Sequence, residues 1–376
     1  MKKSKIKVLQ FSIAKSMGGR TRYILDIWKW IDHDKFQFDF VTFAKEIQIE
    51  KELISQGCIV HHLPCYPQEN EKVFIEAWNK ILDFEYDIVH LNTSYWEGFL
   101  LEEYAYRKGV KKIIVHSHNT GIGKQLSDEE YERIVNKHYT LREVLDFDKI
   151  TDFWACSEAA KDWLYGQRVN SKKIFLTYPA IDSKLFKFNN DKRDICRKKL
   201  GITDEFLIGT VGRLVYQKNH KFLLSAFSTA FKNRSDTKLI IVGNGGLNEE
   251  LKNLASVLGI ESQCLFVDRC EDIVPYYQAM DLFVLPSLYE GFPKVVVEAA
   301  AAGLKCICSD QITEEIEFCN MIQRMPLIEQ MWSDILKKYR DMEIQGDREK
   351  AVESVKSAGF DIKIEIKRIQ RRYLEE

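Results

Sequence analysis

The chain has 376 residues, 45% of them hydrophobic and 30% charged, which suits two ordinary domain cores and excludes a disordered composition. Its formal net charge of -1 lacks the basic excess of nucleic-acid binders, so no nucleic-acid partner is expected and any anionic ligand has to be met by a local site. Nine cysteines, an odd number without a C-x-x-C pair, read as reduced thiols of a cytoplasmic protein and not as a disulfide framework.

The first apolar run, Ile6 to Phe11, is too short for a signal peptide or a membrane span, and no other segment approaches spanning length. Peripheral membrane association, at the inner face of the cell membrane, stays open. Further short apolar runs predict strands at Phe38 to Phe43, Ile59 to Leu63, Ile88 to Leu91, Ile113 to Val115 and Phe153 to Ala155. Helical stretches such as Arg20 to Trp30 and Trp96 to Arg107 lie between them. Strand and helix in alternation predict a mainly parallel, doubly wound sheet.

A polar stretch over residues 179–193 reads as a connection, after which the pattern restarts. Phe206 to Val211, Leu239 to Val242, Leu265 to Val267, Leu282 to Leu285 and Cys306 to Cys308 predict a second sheet. The expected organisation is α/β: two Rossmann-like, doubly wound domains over residues 1–182 and 183–358, facing a central cleft where the carboxyl ends of both sheets meet. A terminal helix within 359–376, apolar at helical spacing over Asp361 to Tyr373, is expected to pack back on the first domain.

Candidate chemistry gathers at predicted strand ends. After the first strand, Gly18 and Gly19 form a strand-to-helix turn whose backbone N–H groups can approach a phosphate or sugar. Ordinary tight turns use Gly-Gly too. The strand at 113–115 runs into His116-Ser-His118. The two imidazoles are taken to project to opposite faces, with His118 reaching the cleft and a sugar hydroxyl or phosphate, and His116 a buried structural residue. His90 sits similarly. A His-x-His pair can ligate a metal, but no Asp or Glu partner lies close in sequence, so no metal is expected.

In the second half, Arg213 at a strand end and Lys218 before the next helix place two cations five residues apart. Arg can fork onto phosphate oxygens and Lys supplies a compact charge, so together they suit a diphosphate without a metal. Two solvated cations are the plainer alternative. Gly243 and Asn244 follow the next strand, as a close backbone approach or simply a turn, and Arg269 and Cys270 lie in the loop after it, where backbone groups can hold a nucleobase. Then comes Glu290-Gly291-Phe292-Pro293-Lys294, with Glu298 eight positions after Glu290. The pattern predicts one acid in a loop and the other about two turns deeper on a helix, a pair of acceptors for sugar hydroxyls.

Taken in order, these segments resemble the GT-B-fold retaining glycosyltransferases of family 4, and especially bacterial exopolysaccharide and capsule members. The resemblance spans nearly the whole chain. It is carried by Leu-Pro-Ser-Leu-Tyr-Glu-Gly-Phe-Pro before Glu298, by Gly212-Arg213 to Lys218-Asn219, by Val-His-Ser-His-Asn at 115–119, by Ala155-Cys-Ser157 and by Ala180-Ile-Asp182. It implies that Arg213 and Lys218 hold a donor diphosphate, that Glu298 binds ribose and that Glu290 lies by the transferred sugar. It implies catalysis by Glu290, Arg213, Lys218 and His118, and a donor site that also takes in Gly18, Gly19, Gly243, Asn244, Arg269, Cys270 and the 291–294 loop.

The resemblance further implies a nucleotide-sugar donor, most simply a UDP-sugar, used as a substrate with no cofactor and no metal, and a glycan or lipid-linked saccharide acceptor. The anomeric configuration is retained and no protein nucleophile is named. Lys294 departs from the family pattern, as do Tyr178-Pro179 before Ala180 and Asp268 in place of a common glycine. The stretch 121–149, strongly basic in many relatives, is mixed in charge here. Two other readings remain: a catalytically inactive partner subunit of another transferase, and a UDP-sugar 2-epimerase.

Overall fold

The computed structural model describes residues 4–15, 17–122, 126–268, 272–342 and 348–375. Arg269 and Cys270 lie outside the described residues. The chain divides into two compact units, the first formed by Met1–Ile122, Leu126–Tyr178 and Glu365–Glu376, the second centred on Pro179–Ile364.

The first unit is built on a seven-stranded parallel sheet, ordered β3-β2-β1-β4-β5-β6-β7. Its strands are β1 (Ile6–Phe11), β2 (Phe36–Thr42), β3 (Val60–His62), β4 (Ile88–Thr93), β5 (Lys112–Ser117), β6 (Asp152–Ala155) and β7 (Ile174–Leu176). The second unit repeats the plan with six parallel strands, ordered β10-β9-β8-β11-β12-β13. These are β8 (Phe206–Val211), β9 (Thr237–Val242), β10 (Cys264–Val267), β11 (Leu282–Leu285), β12 (Lys305–Ser309) and β13 (Ile322–Met325). Strand order reverses between β1 and β4, and again between β8 and β11. In sheets of this kind the loops part at that reversal and leave a crevice at the carboxyl edge.

Each sheet is apolar on both faces because helices cover both. On one face of the first sheet, Leu9, Val89, Leu91, Ile113 and Val115 pack with Phe74 and Trp78. On the other, Val8, Phe38, Phe40, Ile88 and Ile114 pack with Ile24 and Trp28 of the Gly19–Trp30 helix, and with Ile366, Ile369 and Tyr373. Those last three residues, at spacings of three and four, are the buried stripe of the terminal helix Ile362–Leu374. Arg372 on the same helix reaches buried Asp152 at 2.5 Å. The C-terminus therefore completes the first unit.

Some elements differ from expectation. The helix expected over 96–107 begins only at Leu100, because Trp96 is buried as an anchor whose indole N–H donates to the Leu164 carbonyl at 2.8 Å. The expected connection at 179–193 holds the helix Ser183–Phe186 and the start of another, Asn190–Leu200, whose N-cap Asn189 accepts from the Lys192 N–H at 2.8 Å. Strands β7 and β13 were not anticipated; both are short edge strands, and β13 carries Gln323 and Arg324 within it.

A polar seam crosses the face of the first sheet that the terminal helix covers. Gln10 pairs in register with His90, and Asn92 with His116, so alternate positions line up across β1, β4 and β5. His90 Nδ1 lies 2.8 Å from the Tyr373 hydroxyl and its Nε2 lies 3.1 Å from His116 Nδ1. Burial holds the His90 imidazole down at about 3, far below its ordinary value of 6.5.

Truncating Ile369 to Ala should cost about 2–5 kcal/mol, the range for a fully buried aliphatic side chain, measured by urea unfolding. The seam also sets a pH dependence. Because His90 takes up a proton more readily unfolded than folded, its contribution to stability is present above pH 6.5 and lost as the pH falls towards 3. Replacing His90 by Gln should therefore flatten that fall, saving about 2 kcal/mol of the loss between pH 6.5 and 4.5 in paired unfolding curves.

Candidate active site at the strand ends

In the second unit the reversal lies between β8 and β11, and the loops leaving these two strands are joined side to side. After β8 the chain turns through Gly212 and Arg213 into a 3-10 turn, Tyr216–Lys218, and then the helix His220–Phe231. Gln217 fastens this turn to the loop after β11: its carbonyl accepts from Leu288 N–H at 2.9 Å and its side-chain amide donates to the Tyr289 carbonyl at 2.8 Å. That registration brings the Lys218 ammonium to 2.5 Å from the Glu290 carboxylate, with the two side chains only 12% and 10% exposed.

Such a pair loses most of its water, and only a close contact with further hydrogen bonds offsets that desolvation. Gln217 supplies one more donor, 3.4 Å from the second Glu290 oxygen. Arg213 is exposed and forms no ion pair with another described residue, so among the two predicted cations only Lys218 meets Glu290.

Glu290 precedes a helix, Lys294–Ala301, that carries Glu298. Glu298 sits little more than one turn into it, not two turns deep, since the loop takes up residues 290–293. Its carboxylate is buried and accepts from the Tyr277 hydroxyl at 2.8 Å. Lys294 is the first helical residue and is half-buried, a cation at the positive end of the helix. Gly291 and Pro293 are buried in the loop, and the Phe292 ring packs 5.2 Å from that of Phe360.

Gly243 answers a folding requirement. It has φ +145°, and a Cβ there would fall 1.9 Å from the Gly212 carbonyl oxygen. The Gly243 N–H donates to the Val267 carbonyl and the Asn244 carbonyl accepts from Leu214 N–H at 3.0 Å, so this turn holds the ends of β8, β9 and β10 together. Gly18 and Gly19 differ: a Cβ on either meets nothing within 4 Å, and the helix cap at Gly18 has φ −70°, open to any residue. Packing within the unit does not require glycine at these two positions.

In the first unit, His116 and His118 share one face of the sheet, correcting the expectation of opposite faces. Positions two apart in a strand point the same way, and the two rings lie with centroids 3.9 Å apart, tilted by 35°. His116 is fully buried and keeps its structural role. His118 Nε2 lies 2.8 Å from the Asn92 side-chain oxygen. Burial first, then the Arg20 guanidinium and the His90 ring, push the His118 imidazole well below its ordinary value and keep it uncharged at neutral pH.

Gln217, Tyr277 and Asn92 had not been singled out from the sequence. Asn92 could have been found, because it continues the polar alternation that begins at His90 on an otherwise apolar strand. Nothing local marks Tyr277, which meets Glu298 across 21 residues of chain. Among the described residues, no three or more His, Cys, Asp or Glu side chains are grouped to hold a metal ion, and no helix is long and apolar enough to cross a membrane.

Residues 192–324 match the family model of glycosyl transferases group 1. EpsF of Bacillus subtilis is 29% identical over 347 residues, covering 90% of this chain and 88% of EpsF. The UDP-Gal:alpha-D-GlcNAc-diphosphoundecaprenol alpha-1,3-galactosyltransferase of Escherichia coli is 26% identical over 318 residues, covering 82% of this chain and 80% of that enzyme. Among solved structures, Anabaena HepE in complex with UDP and glucose superposes with a TM-score of 0.77 at 20% identity, over 98% of this chain and 99% of HepE. The chain thus has the GT-B fold, and its second unit carries the match to glycosyl transferases group 1.

Proposed function

We propose that this protein is a retaining glycosyltransferase that moves a sugar from a UDP-sugar donor to a glycan or lipid-linked saccharide acceptor, in the assembly of a cell-surface polysaccharide. The observation that carries the reading is the buried Lys218–Glu290 pair at the strand-order reversal of the second unit, with Glu298 on the helix that follows. One cation for phosphate and two carboxylates for hydroxyls lie on adjoining loops and the helix that follows, at the edge where open parallel sheets receive ligands. The group 1 match over residues 192–324 supports a donor site in this unit. A relative named for a UDP-galactose donor and a diphosphoundecaprenol-linked acceptor supports the substrate classes.

In this reading Lys218 and Arg213 hold the diphosphate, Glu298 accepts from ribose hydroxyls and Glu290 accepts from hydroxyls of the transferred sugar. Gly243, Asn244 and the 291–294 loop line the donor in the second unit, and acceptor binding falls to the first unit. The sugar C1–O bond breaks as the diphosphate leaves, the acceptor oxygen bonds to C1 on the same face, and the departing phosphate takes the acceptor proton. Stabilising the charge on that diphosphate is the main catalytic term. Two protein cations supply it, so the proposed reaction needs no metal.

Titration calorimetry with UDP in the presence of EDTA tests this. Lys218→Ala and Arg213→Ala should each weaken UDP by about tenfold or more, the worth of a charge-assisted hydrogen bond. Glu290→Gln should act with opposite signs on two ligands: UDP binds at least about threefold more tightly once Lys218 is released from a neighbouring negative charge, while the UDP-sugar loses turnover. Wild-type protein that binds no nucleoside diphosphate or nucleotide sugar would sink the proposal.

A further inference from the structure

The hydrogen-bond pattern around Asn92 determines which nitrogen of His118 carries the proton. Asn92 is buried at the end of β4, and its side-chain nitrogen lies 2.9 Å from Gln10 Oε1 and 3.0 Å from the Phe11 carbonyl oxygen. Both neighbours are oxygens that only accept, so the amide nitrogen must face them and the amide oxygen must face His118. That oxygen can only accept as well. His118 Nε2, 2.8 Å away, is therefore the donor, and in a neutral ring Nδ1 is left with its lone pair bare.

We propose that Asn92 is a positioning residue that locks His118 in the Nε2–H form, so that Nδ1 accepts a hydrogen bond from a substrate hydroxyl and does not donate to a phosphate. That the hydroxyl belongs to the sugar rests on the glycosyltransferase reading; the tautomer does not. A phosphate oxygen offers only lone pairs and meets repulsion at Nδ1, whereas a hydroxyl presents the proton that Nδ1 lacks. The surroundings keep the ring uncharged. Arg20 and Tyr23 face it from the Gly19–Trp30 helix, His116 from β5 and His90 from β4, and none of these is a carboxylate. Glu365 adjoins Tyr23 and is engaged by Arg368 at 2.6 Å.

The polar seam gives the amide its fixed orientation. Gln10 Nε2 donates to the Tyr373 hydroxyl at 3.1 Å, so Gln10 Oε1 turns towards Asn92. Arg20 adds a contact to the Asn92 backbone carbonyl at 3.3 Å. Asn92 thus has its amide held from one side and its main chain from the other.

Long-range 1H–15N spectra of histidine-labelled protein near pH 7.5 read the tautomer directly, with His118→Gln identifying the resonances. The expected result is a protonated Nε2 and an unprotonated Nδ1 at His118. Asn92→Leu should remove the preference and give a mixture, and Asn92→Asp should place a proton on both nitrogens, shifting the His118 titration upward. A wild-type ring protonated on Nδ1, or mixed, overturns the proposal without any variant having to fold. So does an unchanged tautomer in folded Asn92→Leu. With donor turnover as a second readout, Asn92→Leu should lower kcat by about tenfold or more with KM for the donor within about twofold, as expected for a misplaced proton acceptor. A protein that shows the expected tautomer but binds no nucleotide sugar would remove the sugar from the account and leave the role of Asn92 standing.

Discussion

In a parallel sheet every strand ends at the same edge, and the loops that leave there have nowhere to go except over or away from one another. When the chain first builds outward from a central strand to one side and then to the other, the two innermost loops part in opposite directions. That constraint places the loops after β8 and β11 side by side in one unit, and those after β1 and β4 in the other. Residues 70 and more positions apart in sequence then become neighbours, as Lys218 and Glu290 do. The two units share this plan but fill it with different chemistry: an ion pair and a second carboxylate in one, neutral imidazoles and amides in the other.

Burial decides how each set behaves. A carboxylate and an ammonium that are both largely dry depend on one another, and each is left in an unfavourable environment if the other departs. A ligand that draws Lys218 away is tolerated best when it offers Glu290 hydroxyl donors in exchange, which a bare diphosphate lacks and a sugar diphosphate provides. The imidazoles follow the opposite rule. Without a nearby carboxylate, burial removes their charge and leaves them as oriented donors and acceptors whose direction is fixed by the amides beside them.

Much of this was legible in the sequence, and the exceptions share a cause. β1, β8 and β11 match their expected limits residue for residue because each is a mainly apolar run bounded by polar or turn-forming residues. The positions of Arg213, Lys218 and Glu290 in the loops after strands, and of Glu298 on the helix that follows, came from those runs. What escaped were residues defined by partners far along the chain. Trp96 sits where a helix pattern continues, yet the Leu164 carbonyl claims its indole. Phe292 packs against Phe360, a contact that nothing in its own loop marks. The strand period of two, applied consistently, would have placed His116 and His118 on one face.

The hydrogen bond between Gln10 and Tyr373 spans 363 residues, from the first strand of the chain to its last helix. As synthesis proceeds from the N-terminus, β1, β4 and β5 emerge long before the residues that cover their polar seam and apolar face. The first unit therefore stays unfinished, with His90 lacking its hydroxyl partner, while the whole second unit is being made. It closes only when the helix Ile362–Leu374 leaves the ribosome, so the first unit matures after the second has been made, and a chain cut before that helix leaves the first unit incomplete.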